Sequence, residues 1–319
     1  MRLDRWFRTM APELTQGALQ KLLRTGQVRV NGKRAKASHR LAEGEVVRVP
    51  PLPTPSSSGN ATSRKPHKIR DEDAHLLPSR VIHMDDHVIV IDKPAGLAVQ
   101  GGAGTTRHVD GLLESLQFGL PERPRLVHRL DKDTSGLLVV ARDRKTATAL
   151  ASAFRTRDVK KLYWAITAGV PERSEGRIDA ALLKSAAGKG GHEKMVVDQD
   201  RGDRAITDFR VIDHAGQAAA WVALQPQTGR THQLRAHLAA INTPILGDGK
   251  YGGTAAHPSI SGIGKGMYLH AKRLLFRLPG GALIDTEAPV PGHLADALRI
   301  LGLDDLNADA GMFLDQGYP

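Results

Sequence analysis

The sequence predicts a mixed α and β protein built as two unequal units, a small basic one at the N-terminus and a larger body behind it. Three observations carry this. Apolar residues at helical spacing alternate with short strand-like apolar runs along most of the chain. A Pro/Ser-rich stretch interrupts that pattern between residues 51 and 78. Positive charge is uneven: residues 1–50 hold eleven Lys/Arg against four Asp/Glu, most of the excess behind the chain's net charge of +11.

In the N-terminal unit (residues 1–50), Leu3, Trp6, Phe7 and Met10 have helical spacing, and Pro12 ends that helix. Thr15 is a candidate cap for a second helix carrying Leu19, Leu22 and Leu23, with Gly26 as its stop. Val28-Arg29-Val30 reads as a strand, Asn31-Gly32 as a hairpin turn, and Val46, Val47 and Val49 as a closing strand. Arg24, Arg29, Lys33, Arg34 and Lys36 gather around the second helix and the hairpin, which suggests a grip on a polyanion. Residues 51–78, with Pro51, Pro53, Pro55 and Ser56-Ser57-Ser58, are expected to be a flexible linker.

The body, residues 79–303, has strand-like runs at Val81-Ile82, Val88 to Ile91, Gly136 to Arg142, Leu162 to Ala168 and Ala220 to Leu224. Thr146 to Arg155 and Arg230 to Ala240 have helical spacing, and residues 304–319 read as a loose polar tail.

Several classes of function are disfavoured. The chain has no cysteine, so disulfides, zinc–thiolate sites, iron–sulfur clusters and thiol nucleophiles are excluded. Its apolar runs are too short to span a bilayer, and no apolar stretch follows Met1, so a cytoplasmic protein away from membranes is expected. His83-Met84-Asp85-Asp86-His87 reads as a polar turn rather than a metal site, and His232 and His237 are five apart, not the four of a helical zinc pair. Those two histidines are expected to be structural or to face RNA. Gly101-Gly102-Ala103-Gly104 and the glycines around Asp248 lack a phosphate-loop Lys-Ser/Thr and read as turns. Asn60-Ala61-Thr62 is a sequon without a secretory context, and Ser135 lacks the glycines of a hydrolase elbow.

The most informative segment is His128-Arg129-Leu130-Asp131-Lys132-Asp133-Thr134-Ser135-Gly136, which runs into the apolar Leu137 to Ala141. A carboxylate just ahead of a buried strand is partly desolvated and needs a cation. Crowded charges of this kind form active-site loops and structural ion pairs about equally often.

The whole stretch HRLDKDTSGLLVVAR resembles the signature of the RluA-type RNA pseudouridine synthases. Asp92 to Leu97, Lys160 to Ala165, Thr228 to His237, Tyr268 to Ala271 and Ala288-Pro289 resemble further blocks of that family in order. The N-terminal unit resembles an S4 RNA-binding domain. The resemblance, closest to the ribosomal large-subunit branch, implies an α+β fold with an antiparallel-rich catalytic sheet. It implies conversion of uridine to pseudouridine, in large-subunit ribosomal RNA, without metal or organic cofactor; apart from the resemblance, a monomer is the simplest expectation. The resemblance places the catalytic carboxylate on Asp131, a catalytic tyrosine on Tyr163 and the cation of Asp131 on Arg230. Arg129, with His128 beside it, is expected to contact RNA, Arg129 filling the space of a flipped base. A synthase acting on transfer RNA and a non-catalytic ribosome-assembly factor are the alternatives.

Overall fold

The computed structural model describes residues 1–11, 14, 16–51, 71–102, 105–185 and 194–303. Pro12, Thr15, the sequon at Asn60, Ala103 and Gly104, most of the expected linker and the tail from Asp304 lie outside them. The chain divides into two compact units, Met1–Pro66 and His67–Pro319.

In the first unit, α1 (Leu3–Met10) and α2 (Gln16–Arg24) cover a three-stranded antiparallel sheet of β1 (Arg29–Val30), β2 (Lys33–Arg34) and β3 (Val47–Arg48), in the order β2-β1-β3. Leu3, Phe7, Leu19, Leu23, Val28 and Val30 form its core. Asn31 and Gly32 both have positive φ, 49° and 77°, as the two-residue turn between β1 and β2 requires. The register sets Arg34, Arg29 and Arg48 side by side across the three strands. Directly paired residues share a face of the sheet, so three guanidinium groups form one row.

In the second unit, α3 (Asp71–Ala74) precedes β4 (Val81–Met84) and β5 (Val88–Lys93). The short helix α4 (Val109–Leu112), β6 (Arg125–Leu126) and β7 (Ser135–Ala141) follow, then α5 (Arg144–Thr156) and β8 (Lys160–Ala168). Next come β9 (Glu175–Asp179), β10 (Leu182–Ser185), β11 (Lys194–Val197), β12 (Ile206–Ala215) and β13 (Ala219–Pro226). The unit closes with α6 (Gln233–Ala240), β14 (Leu269–Arg277), β15 (Leu283–Glu287) and α7 (Gly292–Leu301). One long sheet runs β4-β5-β7-β14-β8-β13-β12-β9, with β15 on β14 and β6 on β7. Among the described residues its pairs are antiparallel except β7 with β14. This is the mixed, antiparallel-rich sheet expected.

The centre of the sheet is covered on both faces. Ile89, Ile91, Leu138 and Val140 pack into one layer, and Val88, Val90, Leu137, Val139 and Ala141 into the other with α5. Such strands read as unbroken apolar runs rather than alternating ones. The end of the expected linker belongs to this body: Leu77 is fully buried in its core, and Arg107 donates to Asp73 at 2.8 Å. Among the described residues no helix is long and apolar enough to cross a membrane.

Candidate active site

The loop before β7 carries Asp131. Leu130, 5% exposed, anchors one side of it in the core, and the Thr134 amide donates back to the Asp131 carbonyl to close a turn. On the other side sits Lys93, whose side chain is wholly buried. Its ammonium donates to the carbonyls of Pro94, Leu97 and Lys132 at 2.9, 2.9 and 3.0 Å. All three donors are used, and the last one pins the residue after Asp131. Burial lowers the Lys93 pKa to about 8, opposed by Asp133, Asp131 and Asp92. Gly136 has φ +102°, and a Cβ there would run into the Ala271 backbone, so only glycine lets β7 leave the loop beside β14.

The cation on Asp131 is Arg235, not Arg230. Arg235 Nη1 donates to Asp131 Oδ2 at 3.3 Å. Its Nε and Nη2 donate to the two oxygens of Asp248 at 2.7 and 2.8 Å, a two-point fork that fixes the guanidinium plane. The Asp248 side chain is 1% exposed and that of Arg235 9%. Arg230 lines the same cavity, but its Nε donates to the Arg204 carbonyl at 3.1 Å and its Nη1 lies 3.5 Å from Asp203. The reason is where the helix begins. The spacing suggests a start at Arg230, whereas α6 starts at Gln233, whose side-chain oxygen accepts from the Arg230 amide and the Thr228 hydroxyl. Arg230 is therefore left on the outer turn while Arg235 points inward. The sequence holds one signal for this: Asp248, in its glycine-rich turn, is the carboxylate that a buried arginine needs.

His232, in the left-handed conformation ahead of α6, brings Nε2 to 3.8 Å from Asp131 Oδ1. Tyr251 accepts from the Met195 amide at 3.0 Å and lies 2.9 Å from His232 Nδ1. With the Tyr251 hydroxyl donating to Nδ1, the ring proton of His232 sits on Nε2, facing Asp131. Burial lowers the His232 pKa against the pull of Asp131, which favours this neutral ring. Arg235, Asp248 and Tyr251 are site residues that the sequence reading did not select; His232 it expected only to be structural or to face RNA.

Tyr163 projects from the middle of β8 into the cavity. Burial, then the Asp131 charge, raises its pKa, so the phenol keeps its proton at neutral pH. Arg129 is exposed at the cavity and, among the described residues, has no hydrogen bond or ion pair. His128, expected to contact RNA, lines the cavity and is also tied into the fold. Its ring stacks on Phe154 at 4.2 Å and its Nε2 accepts from the Val139 amide at 2.9 Å. Burial lowers its pKa to about 3, so it stays neutral and serves the fold. The cavity these groups line measures about 290 Å³, at the small end of the usual range for ligand sites.

In the N-terminal unit, Arg24, Lys33, Arg34 and Lys36 are exposed. Arg29 is half-buried and donates to the carbonyls of Gly26 and Gly32 at 3.2 and 3.1 Å, so it also ties the end of α2 to the hairpin. Arg48 joins these cations through the β3 register.

Comparison with known proteins agrees with this architecture. Residues 87–240 match the RNA pseudouridylate synthase family and residues 1–47 the S4 domain. A ribosomal large subunit pseudouridine synthase C from Rickettsia bellii is 35% identical over 300 residues, covering 92% of this chain and 95% of that protein. The protein of the same name from Salmonella typhimurium is 34% identical over 306 residues, covering 94% and 92%. The solved structure of human RNA Pseudouridylate Synthase Domain Containing 4 matches with a TM-score of 0.59 and 30% identity, over 72% of this chain and 95% of that one. Fold and site define an RNA-modifying isomerase joined to an S4 domain. The chain belongs to the RNA pseudouridine synthase family.

Proposed function

We propose that this chain isomerises uridine to pseudouridine in large-subunit ribosomal RNA, with Asp131 as the acting carboxylate. The observation that carries the reading is the Asp131 carboxylate held by Arg235 at the floor of a nucleobase-sized cavity. The target nucleotide leaves the RNA stack to enter it, and the exposed Arg129 guanidinium takes the vacated place between neighbouring bases. The bond from C1′ to uracil N1 breaks, the base turns within the cavity, and C1′ bonds to C5. C5 gives up its proton and N1 gains one, so there is no net oxidation. Asp131 acts at the sugar or the base and divides one hard step into two. Arg235 holds the carboxylate aimed. A protonated Tyr163 offers its ring face to the detached base, and its proton as a donor rather than its oxygen as a base.

The N-terminal unit supplies grip through its arginine row and lysines. Similarity to proteins named ribosomal large subunit pseudouridine synthase C supports the choice of RNA. A monomer working in the cytoplasm is the simplest form of the proposal.

The test uses RNA labelled with tritium at uridine C5. Wild-type protein should release tritium from a large-subunit ribosomal transcript and not from transfer RNA. Asp131→Asn keeps the shape and removes the charge and the nucleophile; it should bind the transcript and release nothing detectable. Asp133, exposed on the same loop, is the control, and Asp133→Asn should retain substantial turnover. Robust release by Asp131→Asn would overturn the assignment, and release from transfer RNA alone would move the substrate.

A further inference from the structure

The second unit holds two lysines near the site, Lys93 wholly buried and Lys161 half-buried, and they differ in one further respect. Lys93 satisfies its ammonium with three carbonyls. Lys161 does not. It stands on β8 two residues before Tyr163, and so on the same face of the strand, and its side chain lines the cavity. Its one hydrogen bond among the described residues is a long 3.5 Å contact to the Thr228 carbonyl. No carboxylate of the described residues answers it, and the charge that acts on it is the like charge of Arg157. Arg155, from the end of α5, and Arg129 open onto the same cavity, both exposed. An ammonium desolvated among guanidinium groups is costly unless an anion joins it. Residue 229 is glycine, and a Cβ there would lie 4.0 Å from Lys161 Nζ, so space remains beside the ammonium.

From this geometry we infer that Lys161, with Arg155 at the rim, forms a subsite for a phosphodiester of the RNA backbone beside the flipped uridine. A phosphate fits better than a base carbonyl because it brings a full negative charge to neutralise the cluster. It also fits the plan of the cavity. The base goes to the Asp131–Tyr163 end, and its backbone must cross the exposed, cationic end. The inference rests on the isomerase reading and adds to it a residue that positions substrate.

Burial and Arg157 lower the Lys161 pKa to about 8. In the free protein the ammonium is therefore lost as pH rises through about 8, and affinity for an anion falls with it. Of the groups facing Lys161, His128 is held neutral and Tyr163 titrates higher, and the others are the guanidinium groups of Arg129, Arg155, Arg157 and Arg230.

Lys161→Met and Lys161→Arg decide the matter on the C5-tritiated large-subunit transcript, with circular dichroism confirming that each is folded. Lys161→Met should raise KM roughly ten- to a hundredfold, with a smaller change in kcat. It should flatten the salt dependence of binding by about one phosphate contact and abolish the rise of KM above pH 8. Lys161→Arg should restore KM to within a few-fold of wild type, without that rise. RNA ethylated at random phosphates supplies the second arm. An ethyl group on the phosphodiester beside the modified uridine should block the wild type and leave Lys161→Met no worse. The inference is overturned if Lys161→Met keeps the wild-type KM and salt slope, if Lys161→Arg is as impaired as Lys161→Met, or if wild type tolerates ethylation there. If wild type released no tritium from any RNA, the isomerase reading would fail; filter binding would still return the salt slopes of the two variants.

Discussion

The two cationic regions of this protein are built on opposite physical plans. At the Asp131 end of the cavity, charges are few and held in a chain of partners: Asp248 holds Arg235, and Arg235 holds Asp131. In the N-terminal unit, Arg34, Arg29 and Arg48 stand in a row, flanked by exposed Arg24, Lys33 and Lys36. Buried charges act by geometry, because removing one partner strands the other in a low dielectric. Exposed charges act by sum, and salt screens them. Losses in the Asp248–Arg235–Asp131 chain should therefore be steep and insensitive to salt, and losses in the row shallow and set by it.

The sharpest break of this contrast is at Asp248, which touches no substrate in the proposed reaction. Asp248→Asn removes the charge opposite a 9%-exposed guanidinium and one of its two good acceptors. We expect turnover to fall about a hundredfold or more, since misplacement of an acting group by about 1 Å costs that much. Thermal unfolding should show a loss of about 1–3 kcal/mol. Arg235→Lys should lose turnover to a similar degree, because an ammonium cannot hold Asp248 at two points and still reach Asp131. Near-normal turnover in both would show that Asp131 needs no such cation. Arg230→Lys should cost far less than Arg235→Lys. Its guanidinium is 41% exposed and rests on Asp203 and the Arg204 carbonyl, so a loss equal to that of Arg235→Lys would reverse the assignment.

This pair of arginines shows how much could be read from the sequence. The block from Thr228 to His237 was legible as part of the site, and so were Asp131 and Tyr163. Which arginine turns inward depends on where α6 begins, and Gln233 decides that with bonds reaching as far as Ile206 and Thr207. No local pattern reports such contacts. Strands buried on both faces, such as β5 and β7, declared themselves as apolar runs. Strand β12, with Asp208, Arg210 and Asp213 along it, did not; its ion pairs to Arg177 and Glu175 form across strands. Leu77 was hidden among the polar neighbours of a Pro/Ser stretch, although it is core.

The smallest effects belong to the arginine row, where the contrast can be sharpened within a single sheet. Arg34 and Arg48 are exposed and flank Arg29, which is half-buried and bonded to Gly26 and Gly32. If the row grips phosphates, Arg34→Ala and Arg48→Ala should each weaken RNA binding several-fold at low salt. Each should reduce the slope of log affinity against log salt by roughly 0.7 to 0.9. Neither should change kcat or the unfolding temperature, because neither side chain is part of a core. Arg29→Ala should also lower the slope, but with a stability loss of about 1 kcal/mol from two surrendered hydrogen bonds. The three losses should add, being contacts to separate phosphates. A deep drop in kcat from Arg34→Ala or Arg48→Ala, or an unchanged salt slope in the triple variant, would show that the row does not act as a sum of screened charges. The division between geometric and additive charge would then fail at its exposed end.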